Sequence, residues 1–275
     1  MAVQSARRSV VRLIGHPRVT IDGIDQPVPA GSQRLLAFVA LPRVRLERGY
    51  VAGTLWPCCD DVRAIGNLRS ALWRLRCAGI PVIVADKRSL SLAPDTEVDV
   101  DHVAAWAARL IAGRPDPADL DAASGSLPED AGDVALVDAC DLFTAWSEGW
   151  AQLERERLRQ RVLHALEALA GELAARGRTA EAIAAATGVV AIDPLRESAQ
   201  RSLLAAHLAA GDRAAADRTY ARFAVLVRRE LGVEPSRLLT ALLAQPTAVA
   251  QPTAVTIRTS SADGARPTSI PSWAR

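Results

Sequence analysis

Asp60-Asp61-Val62-Arg63-Ala64-Ile65-Gly66-Asn67-Leu68-Arg69-Ser70-Ala71-Leu72-Trp73-Arg74-Leu75-Arg76-Cys77-Ala78 carries two patterns at once. Ile65, Leu68, Leu72 and Leu75 are spaced three, four and three apart, which stacks them on one face of a helix. Arg63, Asn67, Ser70 and Arg74 are spaced four, three and four apart and fall on the opposite face. Asp60 or Asp61 is suited to cap the helix start, where free N–H groups favour an acidic neighbour. Gly79-Ile80-Pro81 stops the helix, since proline cannot continue the ladder.

A polar stripe of this kind is often no more than a solvated face. Here its chemistry argues for more. No acidic residue follows Asp61 on the helix, so its arginines lack helical ion-pair partners. Arginine and asparagine are the side chains that read guanine and adenine edges in the major groove, and serine serves base or phosphate. Arg69, Trp73 and Arg76 flank the stripe, in positions suited to backbone phosphates.

Charge is divided unevenly along the 275 residues. Residues 1–95 hold 14 Lys and Arg against 7 Asp and Glu, whereas residues 96–275 hold 19 against 24. A basic first part joined to an acidic remainder points to a polyanion as its partner. The length allows two domains with their own cores.

Around the quoted helix, the flanking sequence supplies short strands. Val10 to Ile14 and Arg18 to Ile21 are β-rich, and Asp22-Gly23 makes a hairpin turn into Ile24 to Val28. Ser32 is expected to cap a helix through Leu41. A second helix is expected from about Glu47 to Leu55. After the quoted helix, Val82 to Ala85 and Leu90 to Leu92 read as a hairpin with Lys87 and Arg88 in its turn. Strands, three helices and a basic closing hairpin make a winged helix-turn-helix, with the third helix in the major groove and the hairpin on the neighbouring backbone or minor groove. The expected DNA-binding set is therefore Arg63, Asn67, Arg69, Ser70, Trp73, Arg74, Arg76, Lys87 and Arg88.

Leu55-Trp56-Pro57 followed by Asn67-Leu68-Arg69-Ser70-Ala71-Leu72-Trp73-Arg74-Leu75-Arg76 resembles the signature of the SARP-type transcriptional regulators. Val98-Asp99-Val100-Asp101 and Leu231-Gly232-Val233-Glu234-Pro235 resemble the start and close of that family's bacterial transcriptional activator domain. The similarity spans about Val10 to Leu243. It implies a pathway-specific activator, often of a secondary-metabolite cluster, with monomers placed head to tail on direct repeats beside a promoter. RNA polymerase and its sigma factor are then the protein partners. Three features depart from the family pattern: Leu46 at the usual cap of the second helix, Gly49 and Gly66 inside helices, and Cys58-Cys59 in a usually polar loop. Each helical glycine costs about 1 kcal/mol relative to alanine.

The second half reads as helical. Val98 to Ile111 is amphipathic, and Ala112 to Asp133 is rich in Gly, Pro, Asp and Ser, as a loop or extended connection would be. Gly177 and Gly211 lie 34 residues apart, and Leu169 with Leu203, Ala180 with Ala214 and Ala182 with Ala216 keep that offset. That period is the tetratricopeptide one. Arg155, Arg157, Arg159 and Arg161 interleave with Glu154 and Glu156 as a solvated face would. The tail from Gln245 lacks the apolar content to fold and is expected to be disordered.

The fold expected is mainly α with a small β component: a winged helix-turn-helix over 1–95, a tetratricopeptide-like helical domain over 96–244, and a tail over 245–275. No catalytic residue, metal site or cofactor is expected. The histidines lack motif partners, no phosphate-cradling glycine loop occurs, and the four cysteines have neither Cys-x-x-Cys nor histidine at ligand spacing. Leu238 to Ile257 is uncharged, but Gln245, Pro246, Gln251 and Pro252 interrupt it, so no membrane span is expected. A cytoplasmic monomer that places two copies on direct-repeat DNA is the arrangement read here. The competing reading is an interaction scaffold whose winged helix no longer binds DNA.

Overall fold

The computed structural model describes residues 8–121, 142 and 146–244. The first sheet has the order β3-β2-β1-β7. β1 (Ser9–Arg12) runs antiparallel to β2 (Arg18–Ile21), which turns through Asp22-Gly23 into β3 (Ile24–Gln26). Asp22 and Gly23 both have positive φ, 51° and 82°, as a two-residue hairpin turn of the right hand requires. β3 stops short of the expected Val28 because Pro27 and Pro29 have no N–H to give. β1 likewise ends before Leu13. The N–H groups of Leu13 and Ile14 leave the ladder and donate to the buried carboxylate of Asp99, at 2.9–3.0 Å. β7 (Thr96–Val98) lies parallel to β1, pairing Val11 with Val98. The sheet of the first domain thus takes in residues beyond position 95.

Three helices follow. α1 (Ala30–Ala40) starts three residues earlier than a Ser32 cap would place it. Pro29 occupies the cap position, and Ser32 is buried in the first turn, donating its hydroxyl to the Ala71 carbonyl at 2.9 Å. Ser32 therefore ties α1 to α3 instead of capping. Leu46 is not a cap either. Leu46–Glu47 forms the short strand β4, with Leu46 opposite Leu90 of β6 (Ser89–Leu92), and α2 (Arg48–Leu55) begins behind it. α3 (Asp61–Cys77) is the helix expected, with Asp60 accepting from the Arg63 N–H at 2.8 Å. Its end is closed by Gly79 at φ 73° and by the Ile80 N–H donating to the Leu75 carbonyl. β5 (Ile83–Ala85) pairs with β6 to make the wing, and β4 completes a sheet of order β4-β6-β5.

The rest of the described chain is helical: α4 (Asp99–Ile111), α5 (Pro117–Asp121), α6 (Gly149–Ala175), α7 (Thr179–Ile192), α8 (Glu197–Ala209), α9 (Arg213–Leu231) and α10 (Arg237–Ala244). α5 lies inside the segment expected to be a loop. Asp119 fastens it, because the buried carboxylate accepts from the Arg109 guanidinium at 2.6 and 2.8 Å and from the Asp116 N–H at 2.9 Å. The remainder of that segment to Asp133, Cys140 and the 245–275 tail lie outside the described residues.

The 34-residue repeat is physical. Gly177 and Gly211 end α6 and α8 with φ of 77° and 76°, and Leu169, Leu203, Ala182 and Ala216 are buried at matching positions. The interleaved arginines of α6 are not simply solvated. Arg155 donates to the carbonyls of Leu142 and Trp146, and Arg159 pairs with Asp193 at 3.3 Å.

The winged and helical parts share one apolar core. At their junction Phe38 of α1 meets Trp150 of α6 edge-on, with ring centroids 5.1 Å apart, and Trp146 lies 5.9 Å beyond. Arg34 adds an ion pair with Glu148 at 2.8 Å while donating to the Leu55 carbonyl at 2.6 Å. Such aromatic pairs contribute about 0.5–1.5 kcal/mol beyond their buried area.

The Asp119 pair carries a pH signature. The Arg109 guanidinium holds the Asp119 carboxyl below its ordinary value of 3.8. A lowered carboxyl pKa stabilises the fold above the unfolded value and loses that contribution as pH falls through the folded one. Asp119→Asn should therefore lower the urea midpoint at neutral pH. The gap to the unaltered protein should close as the medium is acidified below 3.8.

Candidate nucleic-acid interface

Burial on α3 is wider than its leucine seam. Leu68, Leu72 and Leu75 are buried as expected, Ile65 partly so, and Ala64 and Ala71 are buried beside them. The two alanines let α1 and α2 approach closely, and the Ser32–Ala71 bond records that approach. The buried sector is thereby turned toward Asn67 and Arg74. Asn67 is half-buried, with its amide nitrogen 3.8 Å from the Cys59 sulfur. Arg74 is half-buried against the start of α1 and donates to the Gly31 carbonyl at 3.2 Å. Both sit at the edge of the packed face.

The outermost face of α3 is instead formed by residues expected to be its flank. Arg69, Trp73 and Arg76 are exposed, together with Arg63 and Ser70 from the expected stripe. Trp73 is 65% and Val62 85% exposed, which is unusual for such residues in an isolated chain. Ser70 turns its hydroxyl back to the Gly66 carbonyl at 3.1 Å. Among the described residues, no hydrogen bond or ion pair engages the side chains of Arg63, Arg69 or Arg76. Sequence reasoning missed Val62 and Cys77, both exposed on this face. The available signal was Ala64 and Ala71, whose spacing extends the seam to one side.

The wing is held by its neighbours. Asp86 accepts from the N–H groups of Arg88 and Ser89 at 2.7 Å each and from the Ser89 hydroxyl at 3.0 Å. Arg45 pairs with the same carboxylate, and Arg48 donates to the Asp86 carbonyl at 2.8 Å. The α2 backbone joins in, since the Arg48 N–H donates to the Arg88 carbonyl at 2.9 Å. This network fixes the turn and leaves the Lys87 and Arg88 side chains exposed without a partner among the described residues. Arg45, Arg48 and Asp86 are therefore the wing's supports, and none of them was singled out from the sequence.

Comparison with known proteins adds to this geometry. Residues 119–245 match the family described as the bacterial transcriptional activator domain. In fold, the chain is similar to Mycobacterium tuberculosis EmbR, solved in complex with a low-affinity phosphopeptide, with a TM-score of 0.62 and 23% sequence identity. The alignment covers 86% of this chain and 64% of EmbR, so the chain spans less than two thirds of that protein's length. No curated protein matches it. Residues 119–245 thus carry the match to the activator domain, and the chain shares its fold with EmbR.

The winged part carries exposed cations on α3 and at the wing tip, and the part that matches the activator domain carries the paired helices. Among the described residues, no group of three or more His, Cys, Asp or Glu is placed to hold a metal ion, and no helix is long and apolar enough to cross a membrane.

The roles on α3 separate by stability. Arg74→Ala removes a hydrogen bond between helices and should cost about 1 kcal/mol. Arg69→Ala, on the outer face, should stay within about 0.5 kcal/mol of the unaltered chain. Urea midpoints of the two variants measure the difference.

Proposed function

We propose that this chain is a sequence-specific, DNA-binding transcriptional activator. The observation that carries the proposal is the set of cations on α3 and at the wing tip that have no partner among the described residues: Arg63, Arg69, Arg76, Lys87 and Arg88. Intramolecular partners engage many of the other arginines, including Arg34, Arg43, Arg45, Arg109 and Arg196. Cations kept free on one helix face and one hairpin tip match the electrostatic requirement of a phosphate backbone. Arg63 and Ser70 stand where a recognition helix meets base edges, and Arg69, Arg76, Lys87 and Arg88 take phosphates. The activator domain contacts RNA polymerase and its sigma factor. No nucleotide, metal or reaction chemistry takes part, and the protein acts in the cytoplasm.

Arg63→Ala should relax discrimination between a selected and a scrambled duplex by about 1–3 kcal/mol. Arg69→Ala and Arg88→Ala should weaken both duplexes alike, and each should lower the salt slope by roughly one. Fluorescence anisotropy across a salt series checks both. Identical behaviour of the three variants would remove the base-reading role from α3.

The arrangement on DNA is the one the resemblance to SARP-type regulators implies. It is supported by α6, which carries arginines across heptad spacing and packs against α7, and among the described residues no zipper seam stands free. A monomer in solution then places two copies on a direct repeat, in equivalent grooves about 10–11 bp apart or a multiple of that. Inserting about half a turn between repeats should abolish joint occupancy, and a full turn should restore part of it. Footprints over an inverted repeat, or a stable free dimer by light scattering, would contradict this.

A further inference from the structure

Gly66 lies in the middle of α3 with no structural reason to be glycine. A Cβ added there would meet no atom within 4 Å, and its φ is not in the left-handed region. Glycine in a helix interior is unfavourable through its backbone entropy. Several helical glycines share that open space, and Gly66 differs from them in where it lies: half-buried on α3, among the free outward residues of the candidate interface, where a bare backbone lets another molecule come close. Val62 and Arg63 stand one turn before it, Arg69 and Ser70 one turn after, all exposed. The Ser70 hydroxyl donates to the Gly66 carbonyl at 3.1 Å, which holds this turn helical and leaves its oxygen able to accept.

We infer that Gly66 is the point at which α3 comes closest to bound duplex, and that its missing side chain sets sequence specificity. This rests on the DNA-binding reading above and deepens it. In a specific complex the helix seats in the major groove, and the bare backbone at Gly66 lets Arg63 and Ser70 reach base edges on either side. In non-specific complexes the protein stays on the phosphates, and Gly66 makes no difference. Stability and recognition then oppose each other at a single position.

A helical glycine elsewhere, exposed and equally uncrowded, provides the control. Gly171 lies in α6, away from α3 and the wing, and a Cβ there also meets nothing within 4 Å. The test uses the full chain, a duplex selected by the unaltered protein from a randomised library, and a scrambled duplex. Gly66→Ala and Gly171→Ala should each raise Tm by roughly 2–4 °C. Gly66→Ala should lose about tenfold in affinity for the selected duplex, with binding to the scrambled one unchanged. Gly171→Ala should bind both as the unaltered chain does. The inference is overturned if Gly66→Ala binds the selected duplex undiminished, or loses equally on both. If the unaltered chain enriches no duplex from the library, the DNA-binding reading itself fails.

Discussion

The carboxylate of Asp99 accepts from the N–H groups of Leu13, Ile14 and Val100 within a space closed to solvent, and the rest of the molecule is arranged around that meeting. These bonds end β1, start α4, and hold β7 beside β1, so the last strand of the first sheet and the first helix of the second part are one continuous unit. Burial pushes the Asp99 carboxyl above its ordinary range, and the three N–H donors pull the other way. Removing the carboxylate would leave the two buried donors of Leu13 and Ile14 without partners, each costing about 1–3 kcal/mol. From that fixed point α4 packs on α6, and α6 brings Trp150 and Glu148 to Phe38 and Arg34 of α1. The position of the winged part on the helical part follows from this chain of contacts. A linker has little left to decide.

Function enters where packing leaves groups unused. The inner side of α3 is consumed by α1 and α2, down to the hydroxyl of Ser32 and the guanidinium of Arg74. What remains outward is Arg63, Arg69, Ser70, Trp73 and Arg76, beside the fixed wing tip with Lys87 and Arg88. A rigid helix with free cations and an exposed tryptophan is suited to an extended anionic partner. Its neighbours keep its geometry in place whether that partner is bound or not.

Much of this was legible in the sequence. The helix at Asp61–Cys77, the Asp22-Gly23 hairpin, the wing and the 34-residue period all rest on local signals: spacing, turn residues and glycines at left-handed positions. The errors share one cause, which is long-range contact. Ser32 read as a cap because nothing local announces that Ala71 would claim its hydroxyl, 39 residues away. Leu46 read as a failed cap because its partner, Leu90, lies across the wing. The Ala112 to Asp133 segment read as loop throughout because the Arg109–Asp119 pair that folds α5 is weak in periodicity and strong in electrostatics. On α3, alanine burial moved the boundary between packed and free faces. That left Asn67 and Arg74 half-buried at the edge of the packed face, with Arg69, Trp73 and Arg76 exposed. The supports of the wing, Arg45, Arg48 and Asp86, were hidden for the same reason.

The central claim is that the outer face of α3 meets DNA. Photo-crosslinking tests it most directly, with 5-iodouracil placed through a duplex that the full chain selects and adducts located by peptide mass. The account predicts adducts within residues 61–77, with Trp73 prominent and further ones at the wing. Adducts confined to the helical part beyond residue 146, or efficient crosslinking that spares α3, would contradict it.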